Sequence, residues 1–256
     1  MKLLIIRHGE PDYPNDSLTE RGWKEAALLA ERLAGVEIAA FYVSPLGRAQ
    51  ATARPTLEKL GRTAETKDWL REFARVQIDR PDYPEGKRVC WDWLPQDWVR
   101  HPLFFDSERW IEDPVFASAG VREEYEYVTS SLDELLEAHG YKREGKNYTP
   151  VRPNGDTIAL FCHFGVESVL LSHLLNISPV LLWQSTCALP SSVTTVVTEE
   201  RREGIAAFRM LSFGDTCHLY AGGMEPSFAA RFREQYTNTW ERLDDYYREP
   251  LIKEKP

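Results

Sequence analysis

The sequence predicts an α/β fold built on a parallel sheet, and three observations carry that prediction. Short apolar runs of strand length alternate with amphipathic helical segments through the first third of the chain. The same alternation resumes near residue 156. The 256 residues, 43% hydrophobic and 28% charged, are enough to bury the core of one large α/β domain.

KLLIIR (2–7) has the length and unbroken apolarity of a buried strand, and the polar HGEPDYPNDS that follows, with its two prolines, reads as a loop. Thr19 is a good N-cap for a helix through ERGWKEAALLAERLAG, where Ala26, Leu29, Ala30 and Leu33 recur at helical spacing and Gly35 supplies a stop. IAAFYVS (38–44) is the next strand. PLGRAQATARPTLEKLG is a helix closing near Gly61, which Pro55 is expected to kink or divide. AETKDWL (64–70) is a third strand. Later come a strand in DTIALFCHF (156–164) and a helix in GVESVLLSHLLNI (165–177). SSVTTVVTEE (191–200) and GIAAFRMLSFGD (204–215) are two strands forming a hairpin or a pair of edge strands. Strand–helix–strand alternation at this pitch implies right-handed crossovers.

Between about residues 73 and 153 the character changes. Trp91, Trp93, Trp98, Trp110, Phe104 and Phe105 crowd a proline-containing stretch that ends in one helix, GVREEYEYVTSSLDELLEAHG (120–140). This segment is read as a cap inserted into a single domain spanning 1–256. Some of its aromatics are expected to line a substrate pocket and most to pack an auxiliary core.

The net charge of −9 argues against nucleic-acid binding, which depends on neutralising phosphates with Lys and Arg. An anionic substrate therefore needs a local cationic pocket. No run of about 18 apolar residues is present to span a bilayer, and the apolar run before Arg7 is too short for a signal peptide, so the expected location is the cytoplasm. Cys90, Cys162, Cys187 and Cys217 are far apart with no CxxC pair, which fits plain thiols better than zinc or disulfides.

Chemistry concentrates where the predicted strands end. LLIIRHGE puts Arg7, His8 and the small Gly9 at the exit of the first strand, the position where open α/β sheets bind ligands. Arg48 opens the helix after the second strand, Glu72 follows the third, and His163 ends the strand before a helix N-terminus at Phe164 and Gly165. A neutral imidazole can attack phosphorus and hold the phosphoryl group covalently, which makes His8 the candidate nucleophile. Arg7 and Arg48 are fork-shaped, permanently charged donors for phosphate oxygens. His163 adds a donor, and the backbone N–H of Phe164 another at the helix start. Glu72 is the candidate general acid for the leaving alkoxide and then base for water. No metal or other cofactor is required by this set. Two readings stay open for Glu10, orientation of Arg7 or solvation, and Glu72 competes with an exposed ion pair beside Arg71. His101, His139, His173 and His218 lack comparable context and are read as structural or exposed.

The combination LIIRHGE, LTERG, SPLGRAQATA, LREF, HFG and LPSSVTTV resembles the histidine phosphatase superfamily, in its phosphoglycerate mutase-like branch. The match covers both ends of the chain and is weak through the Trp-rich middle. The resemblance implies a mixed, mainly parallel sheet flanked by helices on both faces, with an inserted cap. It also implies a phosphorylated histidine at His8, phosphate-binding arginines at Arg7 and Arg48, a second histidine at His163, and a proton donor at Glu72. Two features depart from the family pattern. Phe164 stands where glycine is common, which narrows the pocket. The loop PDYPNDS lacks the Trp-Asn pair of mutases and many phosphatases, which weighs against mutase activity.

The expected activity is hydrolysis of a small phosphomonoester, as in a histidine acid phosphatase-like enzyme. A mutase and a non-catalytic phospholigand-binding protein are the alternatives, and the sequence leaves the oligomeric state open. GYKREGKN (140–147) is rejected as a P-loop, because it follows a helix and Asn147 replaces the magnesium-binding Ser/Thr.

Overall fold

The structure is a computed structural model that describes residues 1–232, Glu234 and Thr237. The remainder of the 1–256 domain expectation lies outside the described residues. In chain order the first half forms β1 (Lys2–Arg7), β2 (Pro11–Asp12), β3 (Ser17–Leu18), α1 (Glu20–Ala34), β4 (Ala40–Val43), α2 (Gly47–Leu60), β5 (Glu65–Thr66), β6 (Gln77–Arg80), β7 (Tyr83–Val89), α3 (Pro95–Trp98) and α4 (Pro114–Ala117). The second half forms α5 (Val121–Ala138), β8 (Tyr141–Glu144), β9 (Asn147–Pro150), β10 (Thr157–Cys162), α6 (Phe164–Leu175), α7 (Pro179–Ser185), β11 (Val193–Arg202), β12 (Ile205–Asp215) and α8 (Cys217–Ala221).

Eight strands make one mixed sheet in the order β5-β4-β10-β1-β11-β12-β9-β8. Its parallel half is β5, β4, β10 and β1; β11, β12, β9 and β8 join antiparallel. The two central parallel strands, β1 and β10, are buried on both faces, which explains their unbroken apolar runs. On one face Leu4, Ile6, Ala159 and Phe161 pack with Leu29 and Leu33 of α1 and Ala49 and Ala53 of α2. On the other, Leu3, Ile5, Ile158 and Leu160 pack in a larger core with Leu132 and Leu136 of α5, Val166 and Leu170 of α6, and Trp183 of α7.

Local chemistry sets the element ends. The Thr19 hydroxyl accepts the Gly22 N–H at 3.1 Å and caps α1, whose Ala26, Leu29, Ala30 and Leu33 are all buried. Pro55 does not divide α2: the helix runs unbroken to Leu60 and closes on Gly61 at φ +60°. The third predicted strand is only two residues long. The Leu70 and Arg71 N–H groups bond back to the Lys67 and Asp68 carbonyls at 3.1 and 3.0 Å, so the chain coils into a 3-10 turn over Asp68–Leu70 that buries both Trp69 and Leu70. β11 and β12 form the hairpin, and neither is an edge, because β9 and β8 extend the sheet beyond them.

The 73–153 stretch supplies the β6–β7 hairpin, the short helices α3 and α4, the long α5, and the β8–β9 hairpin on the main sheet. GYKREGKN forms the β8–β9 turn, with Gly145 at φ +60°. Trp93, Trp98, Trp110, Phe104 and Phe116 are buried there; Trp93 meets Phe104 and Trp110 meets Phe116 edge-to-face, while Phe104 and Phe116 pack at a tilt. Among the described residues no helix is long and apolar enough to cross a membrane.

Candidate active site

The register of β1 on β10 pairs Arg7 with Cys162, so the residues after each strand emerge side by side. The His8 N–H donates to the Cys162 carbonyl at 3.1 Å, and the His8 and His163 rings lie 5.0 Å apart between centroids. Both imidazoles are buried, at 2% and 0% exposure. His8 Nδ1 lies 2.7 Å from the Gly9 carbonyl oxygen. A carbonyl only accepts, so Nδ1 carries the proton and the Nε2 lone pair is left for chemistry. Burial, then the charges of Arg7 and Arg48, hold the His8 pKa well below the ordinary imidazole value. The free ring is therefore neutral.

His163 is set by a residue the sequence reading did not single out. Ser44, just past β4, accepts the Leu46 N–H at 3.2 Å and sits 2.8 Å from His163 Nε2. The Ser44 hydroxyl, with one donor and two acceptor lone pairs, pairs with Nε2 in either tautomer of the ring. His163 Nδ1 is buried without a protein partner. Burial first, then His8 and the two arginines, push the His163 pKa well below the usual value, so it too is neutral in the free protein.

Arg7 is 8% exposed and reaches the Ala188 carbonyl through Nη1, while its Nε is buried without a partner. Arg48, in the first turn of α2, turns inward with a side chain 12% exposed and pairs with Asp16 at 2.7 Å; its Nε also lacks a partner. Thr52, one turn later, accepts the Gly9 N–H at 2.9 Å and donates to the Arg48 carbonyl at 2.7 Å, which ties the His8 loop to this helix. A Cβ on Gly9 would lie 2.9 Å from the Gly22 carbonyl oxygen, so the close packing of this loop on α1 needs glycine.

Glu72 turns into the site, and its neighbour Arg71 pairs with Asp68 instead, at 3.0 Å. Glu72 Oε1 accepts from Phe73 N at 2.8 Å and from Val166 N at 3.2 Å, the latter one of the free N–H groups at the start of α6. Burial raises its pKa against the opposing pull of Arg7 and Arg48. Gly165 makes the approach possible: a Cβ there would lie 2.6 Å from Glu72 Oε1 and 2.2 Å from the Trp91 ring. Phe164 is 7% exposed, with the Arg7 guanidinium 5.8 Å from its ring centroid.

Glu10 does not orient Arg7. Its carboxylate accepts the Thr19 hydroxyl at 2.8 Å and the Ser227 hydroxyl, clamping α1 to the chain's last described segment. His101, His139 and His173 bond to Asp113, Tyr42 and Asp133 at 3.0, 2.8 and 2.8 Å, away from the two histidines of the site. His218 supports the site from behind through Ser191 at 3.1 Å, whose N–H holds the His8 carbonyl at 3.0 Å.

Residues 3–210 match the model of the histidine phosphatase superfamily, branch 1. The chain belongs to that superfamily. Phosphoserine phosphatase 1 of Hydrogenobacter thermophilus is 24% identical over 232 residues, covering 86% of this chain and 94% of that protein. A 2,3-bisphosphoglycerate-dependent phosphoglycerate mutase of Thermoplasma acidophilum is 34% identical over 80 residues, only 27% of this chain and 40% of its own. Two solved structures share the fold. A phosphoserine phosphatase mutant of Entamoeba histolytica bound to phosphoserine has a TM-score of 0.57 at 20% identity, over 85% of this chain and 98% of that one. Mycobacterial glucosyl-3-phosphoglycerate phosphatase has a TM-score of 0.54 at 21% identity, over 83% and 98%. As a histidine phosphatase, the chain brings Arg7, His8, Arg48, Glu72 and His163 to one edge of its parallel strands.

Proposed function

We propose that this histidine phosphatase hydrolyses a small phosphomonoester through a phosphohistidine on His8. The observation that carries the reading is the tautomer of His8. Nδ1 is held by the Gly9 carbonyl, and the nucleophilic Nε2 stands beside a neutral second histidine and two guanidinium groups.

The first half-reaction is attack of His8 Nε2 on phosphorus, with the P–O bond to the leaving alcohol breaking. Arg7, Arg48, His163 Nδ1 and the Phe164 N–H receive the phosphoryl oxygens, and the work is mainly electrostatic. A phosphate dianion would favour the charged form of His163, which burial and the neighbouring cations disfavour. Glu72, whose pKa desolvation raises, gives its proton to the leaving oxygen from its protonated form. It then takes one from the water that attacks the phosphohistidine, which returns His8 and releases phosphate. Since His8 stays neutral well into the acid range and Glu72 must be protonated, activity falls on the acid side through His8 and on the basic side through Glu72. That window supports an acid phosphatase-like profile. The 73–153 segment acts as a cap, with Trp91 bringing one aromatic wall to the site.

Product analysis with 3-phosphoglycerate tests hydrolysis against transfer. Stoichiometric free phosphate is expected; conversion to the 2-isomer without phosphate release would establish a mutase instead.

A further inference from the structure

A cavity of about 240 Å³ opens from Arg7, and its walls are unlike a site for a polar substrate. Trp91, Phe164, Trp183, Ala229, Ala230 and Phe232 supply most of the lining. Trp91 and Phe164 meet edge-to-face at 6.2 Å, forming a corner beside Arg7, whose guanidinium lies 5.8 Å from the Phe164 ring centroid. Three polar side chains of the wall are bonded to the protein itself. Trp183 Nε1 donates to the Gly165 carbonyl at 3.0 Å, the Thr186 hydroxyl to Leu182 at 2.7 Å, and the Cys187 thiol to Ala230 at 3.0 Å.

That last contact folds the segment 229–232 over the cavity. Among the described residues no Asp or Glu lines it, so an ammonium group would enter without a counter-charge from them, at a heavy desolvation cost. Among the described lining residues the one cation besides Arg7 is Arg231, and it is already engaged: it pairs with Glu234 and lies over the Phe228 ring at 4.6 Å.

Resting on the phosphatase reading, we propose that this cavity selects phosphomonoesters whose leaving group is uncharged and aromatic, in preference to amino-acid or carboxylate-bearing esters such as phosphoserine. A phenyl ring moved from water into such a corner gains on the order of ten- to a hundredfold in binding. The gain is realised with flat rings, which stack or meet aromatic walls edge-on.

The test compares kcat/KM for 2-phenylethyl phosphate and O-phosphoserine. Both release alkyl alcohols, and serine is the better leaving group, so intrinsic reactivity works against the expected order. A preference of at least tenfold for the phenylethyl ester is expected, mostly in KM. It should shrink severalfold in Trp91→Ala and in Phe232→Ala, the latter at a position 61% exposed where folding is not at stake. A preference for phosphoserine, lost in Arg231→Ala, would overturn the proposal by showing that Arg231 captures a carboxylate. Equal use of the two esters, with label still trapped on His8, would overturn it while leaving the phosphatase reading intact. Turnover of neither, with no label on His8, would overturn both.

Discussion

Glu72→Gln separates the general-acid role from every structural role of the residue. Glu72 Oε1 accepts two backbone N–H groups, from Phe73 and Val166, and a glutamine oxygen can keep both. The substitution is isosteric, so the start of α6 and the wall formed with Gly165 are retained. What is lost is the ionisable proton. General acid catalysis contributes about 10²- to 10⁴-fold, equivalent to about 3–5 kcal/mol of barrier. That loss should fall on esters whose alkoxide needs a proton to leave. Steady-state kcat/KM for 2-phenylethyl phosphate should therefore drop about 10²-fold or more, and that for p-nitrophenyl phosphate by about tenfold or less. The pH profile supplies a second readout. Glu72 acts in its protonated form, and burial raises its pKa, so the wild-type rate falls as pH rises through that value. The glutamine variant should lose this basic limb and keep the acid limb set by His8. Equal losses for both esters, or an unchanged basic limb, would refute the assignment.

The other predictions concern charge. Arg48→Ala removes a buried guanidinium next to both histidines and should lower kcat by about 10²- to 10³-fold; a loss under about tenfold would mean that Arg48 serves chiefly to hold Asp16. Glu167 is 1% exposed on the sheet-facing side of α6, and burial raises its pKa from 4.5 to about 7. A carboxyl whose folded pKa is raised holds its proton more tightly when folded. Its contribution to stability is thus fully present below about pH 4.5 and lost as the pH climbs to about 7. The rise is worth about 3 kcal/mol, so Glu167→Gln should raise Tm at pH 8 and leave it unchanged near pH 4.5. Denaturant melts at the two pH values check this, and equal effects at both would contradict it.

The parallel strands and the gathering of the candidate residues at their ends were legible because their signals are local. β1 and β10 are continuous apolar runs, and Arg7, His8 and His163 follow them directly, so knowing that strand ends gather ligands was enough. Arg48 followed from the same logic one helix turn further on. The β8–β9 hairpin was not legible: YKREGKNYTP is polar, and its place on the sheet depends on Ala206 of β12 pairing with Tyr148. Nor was the inward turn of Glu72, which rests on the missing side chain of Gly165 more than 90 residues away. Ser44 could be placed at a strand end, but its bond to His163 arises from the pairing of β4 with β10. The aromatic cavity is the least local feature of all. Trp91, Trp183 and Ala229 come from three distant stretches, and each alone reads as packing.

The central claim is a phosphoryl group carried on His8 Nε2. Rapid acid-free quenching after mixing with a ³²P-labelled ester, followed by peptide mapping, should find an acid-labile, alkali-stable label on the peptide containing His8, absent in a folded His8→Ala variant. Steady release of free phosphate with no label on that peptide at any time, or label retained after His8→Ala, would contradict the account.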